Sequence, residues 1–188
     1  RQAPAAEPQP TPRPILWAAR GIALLLLAGG AWPELPRYAG ERALRYVSDG
    51  LTYVLKHPTE VEDPQRMLAE LAARAGAAAA VLPGDPRPWI LAGGAHLVKG
   101  EPGVALERYR AALADGERSE TDLNMGRARE GLGQTEQAHR AFLRSAWVSP
   151  RLLRAMLPDV AEPIRQELRD LEGRLKSGQL KQPPPLPE

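Results

Sequence analysis

The sequence predicts an all-α protein, in which a single N-terminal transmembrane helix is followed by a short right-handed solenoid of helical hairpins with capping helices. Three observations lead to this prediction. Alanine and leucine are abundant while aromatic residues make up only 5% of the chain, which favours helices. A long apolar run lies near the start of the chain, and two later segments match each other at a spacing of 33 residues.

Composition excludes several classes of protein. The 188 residues suffice for one ordinary domain plus appendages. The net charge of +2 is spread evenly along the chain, whereas nucleic-acid-binding domains usually carry a clustered basic surface. Because cysteine is absent, a disulfide framework, a thiolate metal site and a thiol nucleophile are excluded. Because the basic residues are not clustered, we expect no nucleic-acid partner.

A proline-rich tail, residues 1–13, precedes the predicted anchor, residues 14–36. The apolar run of residues 15–32 is interrupted only by Arg20. A helix of that length spans roughly 27 Å, close to the roughly 30 Å hydrocarbon core of a bilayer. The side chains expected to hold the anchor in the membrane are Ile15, Trp17, Leu24, Leu25, Leu26, Leu27 and Trp32. A cleaved signal peptide and a buried soluble helix are the alternatives, and we interpret the run as an uncleaved anchor.

The expected location is the bacterial inner membrane. Arginines flank both ends of the apolar run, so their count does not decide the orientation. A short tail before a first hydrophobic segment more often stays in the cytoplasm. We therefore expect the helical domain to be periplasmic.

Residues 37–60 are predicted to form an amphipathic connecting helix. Its apolar residues recur at helical spacing, namely Leu44, Val47, Leu51, Val54 and Leu55. Such a helix can lie on the membrane or on another subunit, or it can fold back on the main domain. The sequence leaves these arrangements open.

The helical domain, residues 61–178, contains an internal repeat over about residues 86–117 and 119–150. The four pairs that match at an offset of 33 residues are Gly93 with Gly126, Gly100 with Gly133, Ala105 with Ala138, and Tyr109 with Phe142. Fixed periods of this length are typical of stacked supersecondary units. Glycine and alanine let the helices of a hairpin approach closely, the second glycine of each unit can end its first helix in the left-handed conformation, and the aromatic residue fills the remaining space.

At these positions the sequence resembles the tetratricopeptide repeat (TPR) family. The first unit reads Trp89-x-x-Ala92-Gly93-x-x-His96 and then Ala105-x-x-x-Tyr109, and the second reads Met125-Gly126, Ala138-x-x-x-Phe142 and finally Pro150. It departs from the family pattern at His96 and Arg129, where an aromatic residue is usual, and at Ser145, where alanine is usual. The resemblance covers about residues 83–150 and implies a small right-handed α-solenoid.

The resemblance also implies a partner-binding groove, because the first helix of each hairpin lines the concave surface in this family. The residues that it places there are Ile90, Gly94, Leu97, Val98, Leu123, Asn124, Arg127 and Glu130. Such a groove has an apolar floor and one polar edge, which suits an apolar helix or an extended segment of a partner. Alternatively, the helix around Leu44 to Leu55 fills the groove.

Flanking segments are expected to cap the array, since each repeat buries its apolar side only against neighbours. Asp63 and Pro64 begin a helix that resembles the second helix of an earlier, degenerate repeat. Beyond Pro150 we predict a short helix and then a capping helix with Pro163 in its first turn. Residues 179–188 form a second proline-rich tail.

Neither catalytic residues nor a cofactor or metal site is predicted. His57, His96 and His139 lie far apart, and none stands beside a second ligand at metal spacing. Phosphate-binding loops, dinucleotide fingerprints and nucleophile motifs are missing from the sequence. We therefore expect a non-enzymatic protein without a small-molecule substrate.

The predicted function is that of a membrane-anchored scaffold or accessory subunit. It would bind and stabilise partner proteins of a bacterial inner-membrane complex, with the other subunits and the lipid bilayer as its partners. One alternative is an assembly factor or chaperone that binds clients transiently. Another is an accessory component of envelope polysaccharide synthesis or export, where anchored repeats of this family also occur.

Overall fold

A computed structural model of the chain describes residue 21 and residues 34–114, 116–180 and 182–185. The described residues form helices and connecting segments with no strand among them, which confirms the all-α prediction. The chain divides into two units, Arg1–Ala39 and Gly40–Glu188. In the first unit, Nη1 of Arg37 lies 3.6 Å from Oε1 of Glu34.

The described residues contain seven α-helices and one 3-10 helix. In chain order they are α1 (Glu34–Lys56), α2 (Pro64–Val81), α3 (Arg87–Lys99), α4 (Pro102–Leu113), α5 (Ser119–Gly131), α6 (Thr135–Val148), the 3-10 helix (Pro150–Ala155) and α7 (Pro158–Lys176).

Helix α1 packs against the domain through its apolar side. Val47, Leu51 and Val54 are buried in one core cluster with residues of α2 and α3. Gly50 allows the close approach to α2, because a Cβ atom at this position would stand 2.7 Å from Cδ2 of Leu71. Of the arrangements that the sequence left open, the structure shows the one in which this helix folds back on the domain.

Helices α3 and α5 end in matching glycine turns, as predicted. Gly100 has a φ angle of 86° and Gly133 one of 72°, both in the left-handed region. The residue after each glycine donates its N–H to a carbonyl five residues back, at His96 and Arg129 respectively, with a distance of 2.9 Å in both turns. The second turn therefore repeats the hydrogen-bond pattern of the first.

Consecutive helices contact each other along the chain from α2 to α7. In the hairpin α3–α4 the ring of Tyr109 packs on Gly93, and in the hairpin α5–α6 the ring of Phe142 packs on Gly126. Ala105 and the equivalent Ala138 are buried. The residue pairs that match in the sequence thus occupy matching places in the two hairpins.

The C-terminal helices cover α6. Ile164 and Leu168 of α7 are buried in one cluster with Phe142. Helix α7 begins at Pro158, earlier than predicted, so Pro163 stands inside the helix and not in its first turn. The missing N–H of Pro163 removes the bond that would reach the carbonyl of Asp159.

The predicted anchor lies, apart from Gly21, outside the described residues, as does the tail of residues 1–13. Helix α1 begins at Glu34, within the range of residues 14–36 that the sequence assigned to the anchor. None of the helices in the described part of the chain combines the length and the apolar character needed to cross a bilayer.

Candidate functional site

Helices α1 and α3 lie side by side and run in the same direction. Leu44, near the middle of α1, packs in one cluster with Leu91, in the first half of α3. Further along, Cδ1 of Leu51 lies 3.8 Å from the position of a Cβ atom added to Gly94. The two helices therefore meet along one line, α1 at Leu44 and Leu51 and α3 at Leu91 and Gly94.

A cleft of about 390 Å³ opens between these two helices. Its lining residues are Glu41, Leu44, Arg45, Ser48, Arg87, Ile90 and Leu91. The leucines and Ile90 supply an apolar floor, and the charged residues stand at its edge. Arg45 makes no ion pair with any described residue. The combination of a mostly apolar pocket and a few polar groups is typical of binding sites.

Arg87 joins α1 to the start of α3. Its Nη2 atom lies 2.5 Å from Oε1 of Glu41 in α1. Its Nε atom lies 2.9 Å from Oδ2 of Asp85 in the preceding turn. The Arg87 guanidinium lowers the pKa of Asp85, chiefly through this hydrogen bonding. Because Arg87 is paired twice, it fixes the edge of the cleft and leaves Arg45 as the cation available to a ligand.

The groove residues predicted from the first repeat fall partly on this surface. Ile90 lines the cleft. Gly94 is half-buried under Leu51, and Val98 is exposed one turn further along α3. Leu97 is partly buried in the cluster around Tyr109. Helix α1 thus covers part of the predicted groove and leaves the cleft around Ile90 open.

Leu123 does not belong to an accessible groove. Its exposed fraction is 4%, and it packs in the core cluster with Phe142 and Ile164. The alignment with the repeat pattern placed Leu123 on the floor of the predicted concave groove. The C-terminal helices bury this position, so Leu123 cannot contact a partner while the domain is folded.

The polar residues predicted from the second repeat contact the C-terminal part of the domain. Arg127 donates from Nη1 to Oδ1 of Asn124 at 3.0 Å and from Nη2 to the carbonyl oxygen of Ala155 at 2.6 Å. Glu130 is exposed and lines a separate pocket with His139 and Asp159. The structure therefore does not bring the eight predicted groove residues into one continuous surface.

Sequence reasoning missed the half of the cleft that α1 supplies. Glu41, Arg45 and Ser48 lie three or four residues apart and so share one side of α1, next to its buried side. This spacing was visible in the sequence. The position of α1 beside α3 was not visible. The spacing of apolar residues in an amphipathic helix shows that one side is buried, but it does not show which surface that side packs against.

The histidines of the repeat helices are paired with carboxylates. Nδ1 of His96 and Oε2 of Glu101 are 2.7 Å apart, and so are Nε2 of His139 and Oε2 of Glu167. Among the described residues there is no group of three or more side chains of the kinds that hold a metal ion.

Comparison with known proteins finds no match among protein-family models, curated proteins or solved structures. The likeness to tetratricopeptide repeats rests on the residues quoted for it above.

Proposed function

We propose that this protein is a non-enzymatic scaffold subunit of a bacterial inner-membrane complex, anchored by residues 15–32 and built as a TPR-like right-handed solenoid. In this proposal the cleft between α1 and α3 holds a segment of a partner protein. The helical domain lies on the periplasmic side of the membrane.

The repeated packing of the two hairpins supports a solenoid. Each unit has a left-handed glycine after its first helix and an aromatic ring on a glycine of that helix. Helices α3 and α5, the first helices of the two hairpins, also contact each other. Neighbour-to-neighbour packing of similar hairpins is the pattern by which repeat proteins build an extended binding surface.

The cleft between α1 and α3 is the main structural support for the binding proposal. Its floor of Leu44, Ile90 and Leu91 can accept an apolar side chain, and Arg45 at its edge can pair with an acidic group. A partner segment that presents an apolar residue close to a carboxylate fits both features. Buried apolar contact supplies the affinity of such an interface, and the ion pair fixes its register.

Site-specific photo-crosslinking tests where the partner binds. A photoreactive residue in place of Ser48, which is exposed and lines the cleft, should give a crosslink to one specific protein. The same probe in place of Arg140, an exposed residue of α6 that does not line the cleft, should not. Equal crosslinking from both positions would contradict the proposed site.

A charge placed in the floor of the cleft tests the same contact by disruption. Ile90→Asp should lower co-purification of the partner identified by crosslinking by at least about tenfold, the effect of roughly 1.4 kcal/mol. Val148→Asp, a change of another aliphatic residue that is 49% exposed, is the matched control. Retention of the partner by the Ile90 variant at the level of the control would remove the cleft from the proposed mechanism.

A further inference from the structure

Asp122 carries a buried carboxyl group. It lies in the first turn of α5, and its exposed fraction is 0%. Neither Oδ1 nor Oδ2 accepts a hydrogen bond from any described residue. An ionised carboxylate in such a place lacks the hydrogen bonds that would replace water. The group therefore favours its neutral form.

Among the described residues, the charged groups that face Asp122 are Glu117 from the segment before α5, Arg144 from α6 and Arg129 from α5 itself. Burial, together with repulsion by Glu117, raises the pKa of Asp122 to about 7 against the opposing effect of the two arginines. Glu117 is close enough to accept a hydrogen bond from a protonated Asp122. Below about pH 7 the two carboxyl groups therefore hold one proton, which they lose as the pH rises through this value.

Arg144 connects this pair to the C-terminal tail. Its Nε atom lies 2.5 Å from Oε1 of Glu117, and its Nη2 atom lies 2.8 Å from Oε2, a two-pronged ion pair. Its remaining Nη1 atom donates to the carbonyl oxygen of Pro184 at 2.6 Å. Pro184 is buried, while Pro183 and Pro185 on either side of it are exposed.

A proline-rich strand is well suited to such a contact. Its backbone forms no internal hydrogen bonds, so each carbonyl is available to an outside donor. Proline has no N–H of its own, and the strand loses little conformational freedom on binding because φ is already fixed. One strong donor can therefore hold the strand at one carbonyl.

We propose that Arg144, held by Glu117 above the buried Asp122, is a docking site for an extended proline-rich strand, that the chain's own tail around Pro184 occupies it, and that loss of the proton from Asp122 releases the tail. With the proton in place, Asp122 donates to Glu117, and Glu117 holds Arg144 with Nη1 directed at the tail. When the proton leaves to solvent, the buried carboxylate of Asp122 faces the exposed carboxylate of Glu117. Arg144 then turns towards both of them, and its bond to the Pro184 carbonyl is lost.

The mobility of the tail as a function of pH tests this proposal. The chain has no cysteine, so Pro185→Cys provides a single attachment point for a spin label in the full chain. The label should be immobilised at about pH 5 and become mobile by about pH 9, with a midpoint near the titration of Asp122. A label that is mobile throughout, or whose mobility does not change with pH, would overturn the proposal.

Two variants distinguish the effect of the Arg144 contact on the tail from the effect of the Asp122 proton. Asp122→Asn keeps the shape of the side chain, is always neutral and can donate to Glu117, so the label should stay immobilised at every pH. Arg144→Gln should leave the label mobile at every pH. A pH-dependent release that persists in the Asp122 variant would show that another group controls the tail.

Arg140→Ala is the matched control for the loss of an arginine from α6, since the partner of Arg140 among the described residues is Glu136 on the same helix. In this variant, the mobility of the spin label at position 185 should depend on pH as it does in the wild type. Far-UV circular dichroism establishes that each variant is folded. If the Arg144 variant does not fold, the pH profile of the Asp122 variant still decides the proposal.

Discussion

The ring of Tyr109 lies directly on Gly93, and a Cβ atom added to this glycine would stand 2.6 Å from Cε1 of the ring. The second hairpin repeats the relationship, since a Cβ atom on Gly126 would stand 2.5 Å from Cδ1 of Phe142. Both rings are buried. In each hairpin the absence of one side chain makes the space for another, so neither position tolerates independent change.

Gly93→Ala and Gly126→Ala should therefore each destabilise the domain. The added methyl group forces a buried ring to move, and overpacking of this kind costs about 1–3 kcal/mol. Urea denaturation monitored by circular dichroism measures the change in the free energy of unfolding.

Gly76→Ala is the control for these changes. Gly76 lies inside α2, and a Cβ atom at this position would meet nothing within 4 Å. The same substitution should stabilise the protein there by roughly 0.5–1 kcal/mol, because alanine is the better helix former. Equal effects at Gly76 and at Gly93 would contradict the packing of the Tyr109 ring on Gly93.

The sequence predicted the hairpins well because their determinants are local. The turn glycines and the glycine–aromatic pairs lie within a single repeat, and their spacing repeats at 33 residues. Helix α1 was also recognisable from the period of Leu44, Val47 and Leu51.

The candidate site was harder to predict because it depends on contacts between distant segments. Glu41 and Arg87 are 46 residues apart and meet only after α1 has folded onto α3. Leu123 became a core residue because the C-terminal helices cover it. From the sequence alone, Asp122 is an ordinary acidic residue in the first turn of a helix. Its burial results from the way neighbouring elements pack around it.

Arg127→Ala should loosen the 3-10 helix without unfolding the domain. The change removes the bond to the carbonyl of Ala155 and the bond to Asn124. Loss of these bonds should lower the free energy of unfolding by about 1 kcal/mol and speed hydrogen exchange in residues 150–156.

Arg140→Ala is again the comparison, because its exposed pair with Glu136 spans one helical turn. Its effect should stay within roughly 0.5 kcal/mol. Unchanged exchange in residues 150–156 of the Arg127 variant would mean that this arginine does not hold the 3-10 helix, and would leave it free for a partner.

The apolar run of residues 15–32 should keep the protein in the membrane fraction after carbonate extraction, and deletion of residues 14–33 should release it. Leu25→Asp, in the middle of the run, should cost about 2.5–3.5 kcal/mol of insertion free energy and weaken retention. Leu55→Asp, in an exposed position of α1, should leave retention unchanged. Full-length protein found mainly in the soluble fraction would refute the anchor.

The free energy of unfolding should fall as the pH rises from about 4 to about 7, because of Asp122. In the unfolded chain this carboxyl group releases its proton near its ordinary pKa of 3.8, whereas in the folded protein burial raises the pKa to about 7. Between these values the folded state binds the proton and the unfolded state does not, so each increase in pH favours unfolding. The loss is complete above the folded pKa and amounts to on the order of 4 kcal/mol.

Asp122→Asn should remove this dependence, because the amide does not titrate. The variant should therefore gain stability relative to the wild type as the pH rises, with the difference greatest above about pH 7. Urea denaturation at a series of pH values measures it, with Asp170→Asn, at an exposed position of α7, as the control without such a trend. A constant difference between the Asp122 variant and the wild type across this range would mean that the Asp122 carboxyl is ionised in the folded protein throughout. Asp122 and Glu117 would then hold no proton at neutral pH.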